Sequence, residues 1–415
     1  MIERISAKQR IAWKWPFTSD SSALICDGSV RSGKTFINSM AYIMWAMETF
    51  NGKSFALCGK TVGSCIRNVV KPIVNSPELA CYYRIKLKRS ENLIEIKGRK
   101  SANTFYIFGG KDERSQDLIQ GLTLSGVYFD EVALMPKSFV DQAIARTLSE
   151  AESKLFFNCN PAGPNHWFKK EWIDDRENKK ATYLHFRMED NPIMDQKKIE
   201  KASSLYSGVF YERYILGLWV AAEGRIYDCF DTKVNVLKEK PKTYGRYYVS
   251  CDYGTQNAMV YLLWQKSNMG WCCIKEYYYS GRDEKAQKTD AEYVDDLKAF
   301  LDGIKPEKII VDPSAASFIA ALRKKGYTVQ KAKNEVSDGI RNVAVELKAG
   351  RLLFWNCPHC KEEFESYIWD EKASANGEDK PVKEHDHCMD AVRYFVHTIL
   401  YRKAPGLNTG LHGGI

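Results

Sequence analysis

Eight residues near the amino terminus constrain this chain more than any other stretch. Residues 28 to 35 follow the pattern G-x-x-x-x-G-K-[ST]. An apolar run at Ala23–Cys26 precedes the pattern and the apolar-rich run Phe36–Met47 follows it, which predicts a strand, a tight turn and a helix. Such a turn aims backbone N–H groups and a helix dipole at one point, which favours phosphate binding. The expected phosphate-binding residues are Gly28, Ser29, Val30, Arg31, Ser32, Gly33, Lys34 and Thr35.

A second signature complements the loop with acidic side chains. The apolar run Leu124–Phe129 ends in the adjacent carboxylates Asp130 and Glu131. We expect Lys34 to reach the β- and γ-phosphates, while the Thr35 hydroxyl and Asp130 hold Mg²⁺. Glu131 is then the expected general base that polarises the attacking water. The two signatures together predict an ATP-hydrolysing site that uses Mg²⁺.

A third apolar run, Leu155–Phe157, ends in a polar segment closed by prolines. Asn158 and Asn160 lie in this segment, with Pro161 directly after them. In translocating ATPases, a polar group at this strand end senses the γ-phosphate, and both asparagines are candidates for such coupling. A plain Asn-Pro turn is the alternative interpretation.

Three further residues are candidates on weaker grounds. Gln9 lies about twenty residues before the loop, where helicase-like ATPases place a glutamine that contacts adenine, although spacing alone fits an exposed helical glutamine equally well. Arg31 within the loop and Arg146 after Glu131 are candidates for stabilising transition-state charge. Either arginine could equally be a surface residue, and Arg31 is favoured because the loop fixes its position.

The length and composition of the chain indicate its domain organisation, its partners and its compartment. A chain of 415 residues exceeds one ordinary core, so we expect an ATPase domain at 1–220, a linker at 221–242 and a second domain at 243–415. The net charge of +9 leans towards polyanion partners. Twelve cysteines are scattered through apolar segments, which indicates free thiols in a reducing compartment. A charged amino terminus and the lack of a long apolar run predict an intracellular protein without a membrane segment.

Acidic residues in the second half come from three separated segments. Asp252 and Asp312 each end an apolar strand-like run, and Asp390 lies on a late helix. Converging carboxylates are costly unless cations neutralise them, and oxygen ligands suit Mg²⁺ or Mn²⁺. Two such metals would activate water against a phosphodiester, with Asp386 and His387 as auxiliary ligands. A meander followed by a strand, a helix and an acidic helix is the order of a ribonuclease-H-like nuclease; ordinary caps and surface charges are the alternative.

Two other features of the second half are less specific. Glu276, at the end of a predicted strand, is a weaker candidate ligand of the acidic site. Cys357 and Cys360 have the C-x-x-C spacing of a zinc site, but no second pair has a matching spacing. We therefore favour their packing at the start of the helix that follows.

Taken in order, these motifs resemble the large terminase subunit of tailed bacteriophages and prophages over roughly residues 5 to 400. The six motifs that carry the resemblance are Gly28–Thr35, Val127–Glu131, Asn158–Pro161, Cys251–Gly254, Val311–Pro313 and His387–Tyr394. The resemblance implies an α/β chain with an ASCE-type P-loop ATPase on a mainly parallel sheet, followed by a ribonuclease-H-like nuclease. Within that family pattern, Gln9 matches the adenine-contacting glutamine, residues 158 to 160 match the coupling motif, and Arg146 is the candidate trans-acting arginine.

The resemblance also implies partners and a location. They are double-stranded DNA, a portal on a procapsid, a small terminase subunit and further copies of the chain in a ring, although the isolated chain can be a monomer. The expected location is the host bacterial cytoplasm, with transient docking at the procapsid portal. One alternative is a helicase-like ATPase whose second half only binds DNA. Another is an assembly scaffold with an inactive nucleotide site, which the intact loop and acids disfavour.

Overall fold

The computed structural model describes residues 5–254, 257–282 and 284–401 of the chain. These residues form two compact units. The first runs to Ser204 and includes Val209–Ala221 and Ser374–Glu378, while the second includes Leu205–Gly208 and Ala222–Ala373 and resumes at Asp379. Of the expected linker 221–242, residues 222–242 belong to the second unit, where they include a short helix.

The first unit contains an eight-stranded sheet. Its strands are β1 (Ala23–Gly28), β2 (Ser54–Gly59), β3 (Arg84–Lys88), β4 (Leu93–Lys97), β5 (Ala102–Gly109), β6 (Gly126–Asp130), β7 (Lys154–Asn158) and β8 (Ala181–Phe186). The strand order is β3-β4-β5-β2-β6-β7-β1-β8. Strands β3, β4 and β5 pair antiparallel, and the other pairings are parallel.

Helices cover both faces of this sheet. The α-helices that begin before residue 222 are α1 (Ala7–Thr18), α2 (Lys34–Thr49), α3 (Val62–Cys65), α4 (Lys71–Val74), α5 (Pro77–Ala80), α6 (Lys137–Ala145), α7 (Gln196–Ser203) and α8 (Gly208–Tyr214). Leu24 and Cys26 of β1 belong to one buried cluster, whereas Ala23 and Ile25 belong to another. Because successive side chains of a strand point to opposite faces, both faces of the parallel sheet are buried.

The second unit contains a six-stranded mixed sheet. Its strands are β9 (Thr243–Asp252), β10 (Ala258–Ser267), β11 (Trp271–Ser280), β12 (Lys308–Val311), β13 (Val329–Lys331) and β14 (Leu352–Phe354), in the order β13-β12-β9-β10-β11-β14. Strands β9 to β11 form an antiparallel meander, and β12 pairs parallel with β9. The predicted α/β class, with a mainly parallel first sheet, is confirmed. The second unit has the meander, the parallel strand and the late helix in the order that was expected.

Seven α-helices lie in the remainder of the described chain. They are α9 (Thr232–Asn235), α10 (Asp290–Leu301), α11 (Ala316–Lys324), α12 (Val336–Lys348), α13 (Pro358–Ser366), α14 (Glu371–Ala375) and α15 (His387–Phe395). Among the described residues, no helix has the length and apolar character needed to cross a bilayer. Every cysteine is a free thiol, as expected.

Candidate functional sites

The order of three strands in the first sheet brings the predicted nucleotide residues together. Strand β7 lies between β6 and β1, and all three run parallel. The register pairs Asn158 with Asp130 on one side and with Cys26 on the other. The carboxyl ends of β6 and β7 and the loop after β1 therefore meet at one edge of the sheet, where ligands bind in open α/β folds.

The loop after β1 depends on glycine at two positions. Gly28 has a φ of 125°, and a Cβ atom there would lie 1.9 Å from the carbonyl oxygen of Phe186. Gly33 has a φ of 81° and caps α2, which begins at Lys34. Arg31 also has a positive φ, of 60°, which is uncommon for a residue with a side chain. The loop thus has the sharp backbone path that the motif predicts.

The backbone amides in the first part of the loop donate hydrogen bonds to other parts of the first unit. The backbone N–H of Ser29 donates to Phe186 O at 2.9 Å, and that of Val30 donates to Tyr214 O at 2.8 Å. The phosphate-facing amides of the loop are therefore those that follow Val30. The Ser32 hydroxyl is buried and has no hydrogen-bond partner in the described part of the chain. An unpaired buried hydroxyl in this position fits a bound phosphate oxygen.

Lys34 is held by two acceptors at the floor of the site. Its Nζ donates to Ser29 O at 2.9 Å and to Asn160 Oδ1 at 2.6 Å. Burial lowers the pKa of Lys34, and nearby anionic groups oppose that shift. A buried ammonium with a fixed position is suited to contact phosphate oxygens.

Asn158 joins the loop to the predicted metal-binding acid. Its Nδ2 donates to Thr35 Oγ1 at 2.8 Å and to Asp130 Oδ1 at 2.6 Å. Burial and the charge of Glu131 raise the pKa of Asp130 to about 7. Glu131 itself has a φ of 60°, so the chain turns sharply at the end of β6. Two adjacent acids and a hydroxyl form the oxygen donor set that Mg²⁺ prefers.

These side chains line a cavity of about 270 Å³. Its lining consists of Lys34, Thr35, Asn68, Asp130, Glu131, Asn158, Cys159 and Asn160. A neighbouring cavity of about 320 Å³ is lined by residues of the loop and of α2, together with Asn68, Pro72 and Asn191. The structure therefore brings Lys34, Thr35, Asp130, Glu131 and both asparagines together.

Gln9 contacts the loop from α1. Its Oε1 accepts from the N–H of Ser6 at 3.0 Å as part of a capping box, and a Cβ atom on Gly33 would lie 2.5 Å from its Nε2. Arg31 is exposed on the loop, and its carbonyl accepts from Asn191 Nδ2 at 2.7 Å. Gln9 and Arg31 thus both lie at the loop, and Gln9 also stabilises the start of its own helix.

Arg146 lies away from this cluster. It follows α6, and its carbonyl accepts from the N–H of Leu124 at 2.9 Å. Leu124 precedes β6, so Arg146 lies at the amino ends of the strands, opposite the nucleotide edge. Its Nε is buried with no hydrogen-bond partner in the described chain. The structure does not bring Arg146 to the site of its own chain.

Several residues at this site were missed by the sequence analysis. Asn68 lines both cavities, and Asn191 holds the loop. Asp27 is fully buried beneath the loop, where its carboxylate contacts His185 Nδ1 at 2.9 Å and accepts from Trp219 Nε1 at 2.6 Å. Each is a single polar residue without a recognisable motif of its own, so no local pattern marks it.

In the second unit, two predicted acids lie at adjacent strand ends. Strands β9 and β12 are parallel neighbours, and Val311 pairs with Cys251. Asp252 directly follows Cys251, and Asp312 directly follows Val311. The two aspartates therefore lie side by side at the carboxyl edge of the sheet. The N–H of Ser314 donates to Asp312 Oδ1 at 2.7 Å.

Helix α15 contacts both of these aspartates and carries the third predicted acid, Asp390. His387 Nδ1 lies 3.0 Å from Asp252 Oδ2, and the Tyr394 hydroxyl donates to Asp312 Oδ2 at 2.8 Å. Asp390, between them on the helix, accepts from Arg393 Nη2 at 2.8 Å. Residues 387, 390 and 394 are three and four apart, so they share one helix face. The three predicted acids therefore converge.

Lysine and aspartate extend the polar network around α15. Lys383 Nζ lies 2.9 Å from Asp386 Oδ2 and 3.4 Å from Asp390 Oδ2. Asp386 is the residue before α15, and its carbonyl accepts from the N–H of Asp390. Lys383 was missed by the sequence analysis, and Arg393 and Tyr394, although inside the motif His387–Tyr394, were given no role, because nothing local indicates that they neutralise or orient acids.

Charge and burial oppose each other at these acids. Burial, together with the charge of Asp390, raises the pKa of Asp252 to about 6 despite its contact with His387. Burial disfavours the charged form of His387, but the hydrogen bond and charge of Asp252, together with the charges of Asp386 and Glu363, outweigh it and raise the pKa of the imidazole. For Asp312 burial is outweighed by the hydrogen bonds from Ser314 and Tyr394, which lower its pKa. The cluster is thus anionic and partly neutralised by its own cations.

A cavity of about 420 Å³ opens beside this cluster. Its lining includes Asp252, Asp386, His387 and Asp390, together with the basic residues Arg282 and Lys383. Carboxylate oxygens with an imidazole are a donor set that suits Mg²⁺ or Mn²⁺.

Glu276 has a different role from the one considered for it. It is engaged at the start of α13, where Oε1 accepts from the N–H of His359 at 3.0 Å and Oε2 accepts from that of Cys360 at 2.8 Å. A carboxylate at a helix amino terminus is stabilised by the helix dipole. Glu276 is therefore not part of the acid cluster.

Fold and sites together define a class of protein. It pairs a P-loop nucleotide-binding unit with an α/β unit that presents an acidic site suited to divalent cations.

Comparison with known proteins places the chain in a particular family. Residues 25–234 match the family described as terminase large subunit, T4likevirus-type, N-terminal. This match and the structural relatives below show that the chain belongs to the terminase large subunit family.

Two relatives illustrate the similarity. A crystal structure of the large terminase from a thermophilic bacteriophage is 52% identical, with a TM-score of 0.92, and the match covers 96% of this chain and 100% of that one. Structures of the same phage protein in complex with ADP and with ATP-γ-S are 51% and 50% identical, with TM-scores of 0.91 and 0.90 over the same shares of both chains. The terminase large subunit of Escherichia phage T5 is 25% identical over 302 residues, which is 68% of this chain and 67% of that protein.

Proposed function

We propose that this chain hydrolyses ATP to move double-stranded viral DNA into a procapsid and cuts the concatemer with a metal-dependent nuclease site. The observation that carries the motor is the Asn158 amide, which donates to both Thr35 and Asp130. A single side chain thus connects the phosphate loop to the acid that would hold Mg²⁺. The thermophilic-phage terminase, with bound ADP and ATP-γ-S, supports nucleotide as the ligand.

The residues of the first unit divide the chemistry among them. The amides after Val30 and the Lys34 ammonium bind phosphate oxygens, and Gln9 is the candidate contact to adenine. Bound Mg²⁺ would neutralise phosphate charge, and the Thr35 hydroxyl and Asp130 are the groups that would hold it. Glu131 accepts the proton of the attacking water as general base.

Charge stabilisation and coupling involve four further residues. Arg31 is the candidate for stabilising transition-state charge in its own site. Asn158 and Asn160 contact Thr35 and Lys34, so they are the candidates for passing a change at the γ-phosphate to the rest of the unit. Arg146 lies at the other edge of the sheet, and we propose it as a candidate for a neighbouring subunit's site.

Removal of the Lys34 ammonium tests the motor. Lys34→Ala should lower the kcat of ATP hydrolysis by about 100-fold or more, because a preorganised charge on the transferring phosphoryl group is lost. Lys53→Ala is the matched control, since Lys53 forms a surface ion pair with Glu150. ATP hydrolysis that survives Lys34→Ala would overturn the proposal.

The nuclease is proposed from the convergence of Asp252, Asp312 and Asp390. Two Mg²⁺ or Mn²⁺ ions, when bound, would activate water and stabilise the leaving oxygen of a phosphodiester. Asp386 and His387 are auxiliary ligands in this proposal, and Tyr394 orients Asp312. Purified protein should nick supercoiled plasmid in Mn²⁺ and stop when EDTA is added; cutting that persists in EDTA would contradict a metal-dependent site.

Partners and location follow from the same proposal. A motor that accepts any sequence must contact mostly phosphates, which fits the net charge of +9. We propose that the chain forms a ring on the procapsid portal in the host cytoplasm, with a small terminase subunit as the partner that recognises viral DNA. Sedimentation with and without purified portal tests the ring, and an unchanged monomer in both samples would contradict it.

A further inference from the structure

A β-bulge in the second sheet arranges a group of chemically soft side chains. In the pairing of β10 with β11, Leu263 lies opposite Lys275 but Trp264 lies opposite Cys273. One extra residue in β11, Ile274, is therefore accommodated between two pairs. Because an extra residue shifts the alternation of faces, Cys273 and Glu276 emerge on the same side of the strand.

Three more thiols approach this side from other elements. Cys357 precedes α13, Cys360 lies in its first turn, and Cys388 lies in the first turn of α15. Cys357 Sγ is 3.4 Å from Cys273 Sγ. The ligand atoms of Glu276, Cys360 and Cys388 all lie within 4.8 Å of one another. We call these residues the thiol cluster: Cys273, Glu276, Cys357, Cys360 and Cys388.

The thiol cluster is unusual because it buries a carboxylate beside several thiols. Cys273, Cys360 and Cys388 are fully buried, and the side chain of Glu276 is 3% exposed. An ionised carboxylate beside polarisable sulfur atoms in a core is costly unless opposite charge compensates it. The start of α13 supplies part of that compensation, since Glu276 Oε2 accepts from the N–H of Cys360 at 2.8 Å and His359 Nδ1 lies 2.8 Å from Oε1. Oε2 retains a lone pair for a further partner.

The spacing of the cluster suits a tetrahedral metal ion. With Zn–S bonds of about 2.3 Å, ligand atoms of a tetrahedral site lie about 3.8 Å apart. The ligand atoms of Glu276, Cys360 and Cys388 all lie within 4.8 Å of one another, which allows that spacing. Thiolates select soft or borderline ions, so this donor set differs from the oxygen-rich cluster around Asp252.

We propose that the thiol cluster binds one structural Zn²⁺ ion through Cys360, Cys388 and Glu276, with Cys357 beside the site. Each coordinating thiol loses its proton to solvent when the metal–sulfur bond forms. Cys273 packs against Cys357 from β11. The ion would fasten the starts of α13 and α15 to β11, and α15 carries Asp390.

Metal content of the intact chain is the direct test. The full-length protein is incubated with Zn²⁺ and excess Mg²⁺, which occupies oxygen-rich sites, under reducing conditions and is desalted before elemental analysis. The wild type should retain about one zinc per chain, while Cys360→Ser and Cys388→Ser should retain almost none. Cys272→Ser is the matched control, because Cys272 is equally buried but its neighbour in the strand is Cys273, so its side chain faces the other way.

Cobalt provides a readout that does not depend on the variants folding. Co²⁺ added to the wild-type chain should produce the near-ultraviolet absorption of thiolate-to-metal charge transfer, and Zn²⁺ should abolish it. No charge-transfer absorption and no retained zinc in the wild type would overturn the proposal. Zinc that is retained equally by Cys360→Ser and Cys388→Ser would also overturn it.

Discussion

The most informative residue of the first unit is Asn158. Its amide is buried and donates to Thr35 and Asp130, which lie on different elements. Its own Oδ1 has no hydrogen-bond partner in the described chain. A residue with this role acts through its neighbours, since it fixes the distance between a hydroxyl and a carboxylate.

Substitution of Asn158 should therefore affect turnover more than binding. We expect Asn158→Ala to lower the kcat of ATP hydrolysis by about 10- to 100-fold, with a smaller change in ATP-γ-S affinity, because the loop amides and Lys34 remain. Asn178→Ala, at an exposed asparagine, is the control. An unchanged kcat, or an equal loss of affinity and kcat, would contradict a positioning role.

Gly28 allows a second prediction at the scale of one residue. A methyl group there would collide with the Phe186 carbonyl, and the φ of 125° strains any other residue. Gly28→Ala should lower the free energy of unfolding by about 3 kcal/mol or more in urea titrations.

Gly52→Ala separates strain from collision. Gly52 also has a positive φ, of 71°, but an added Cβ would meet nothing within 4 Å. Its expected cost is about 1 kcal/mol. If both variants lose the same free energy of unfolding, the close approach of the Phe186 carbonyl does not contribute to the destabilisation.

Among the elements, α15 shows what sequence can and cannot predict. A late helix with acids in its first turns was expected, and so was the convergence of Asp390 with Asp252 and Asp312. The contact of Tyr394 with Asp312 was not expected, because it depends on how α15 packs across the ends of β9 and β12. Periodicity predicts which residues share a helix face, but not what that face contacts.

Tyr394→Phe tests this contact with minimal change in shape. Loss of a hydrogen bond to a carboxylate should lower the rate of plasmid nicking by about tenfold and leave ATP hydrolysis unchanged. Tyr401→Phe is the matched control, since its hydroxyl contacts Glu346 instead. Equal nicking rates for Tyr394→Phe and the wild type would show that Asp312 needs no such support.

Strand β11 shows a second feature that the sequence alone could not predict. The spacing of Cys357 and Cys360 suggested a zinc site, and the lack of a second pair in sequence argued against one. Cys357 and Cys360 do lie at the start of α13, as favoured, and the other residues of the thiol cluster lie on α15 and on a bulged strand, where a register shift aligns residues three apart. Bulges have no reliable signature in a single sequence, so this cluster became apparent in three dimensions.

At the scale of the whole molecule, the fold was predictable because recognisable sequence motifs lie in both units. The family resemblance implied the mainly parallel sheet, and the motifs at strand ends predicted Lys34, Asp130 and Asn158 in one nucleotide site. Asn68 and Asn191 were not predictable, because they reach the site through loops and short helices whose paths depend on tertiary packing.

The residues of the two proposed activities belong to different units, so the activities should be separable by substitution. Lys34, Asp130 and Glu131 belong to the first unit, and Asp252 and Asp312 belong to the second. A helicase-like ATPase with a second unit that only binds DNA would instead hydrolyse ATP without cutting.

The most direct measurement compares plasmid nicking in Mn²⁺ by the wild type, Lys34→Ala and Asp312→Ala, with ATP hydrolysis measured on the same samples. We predict that the wild type does both, that Lys34→Ala nicks DNA without hydrolysing ATP, and that Asp312→Ala hydrolyses ATP without nicking. Asp295→Ala, at an exposed acid of α10, should behave as the wild type. Equal nicking by the wild type and Asp312→Ala, or none by either, would contradict the nuclease assignment and leave a DNA-dependent ATPase.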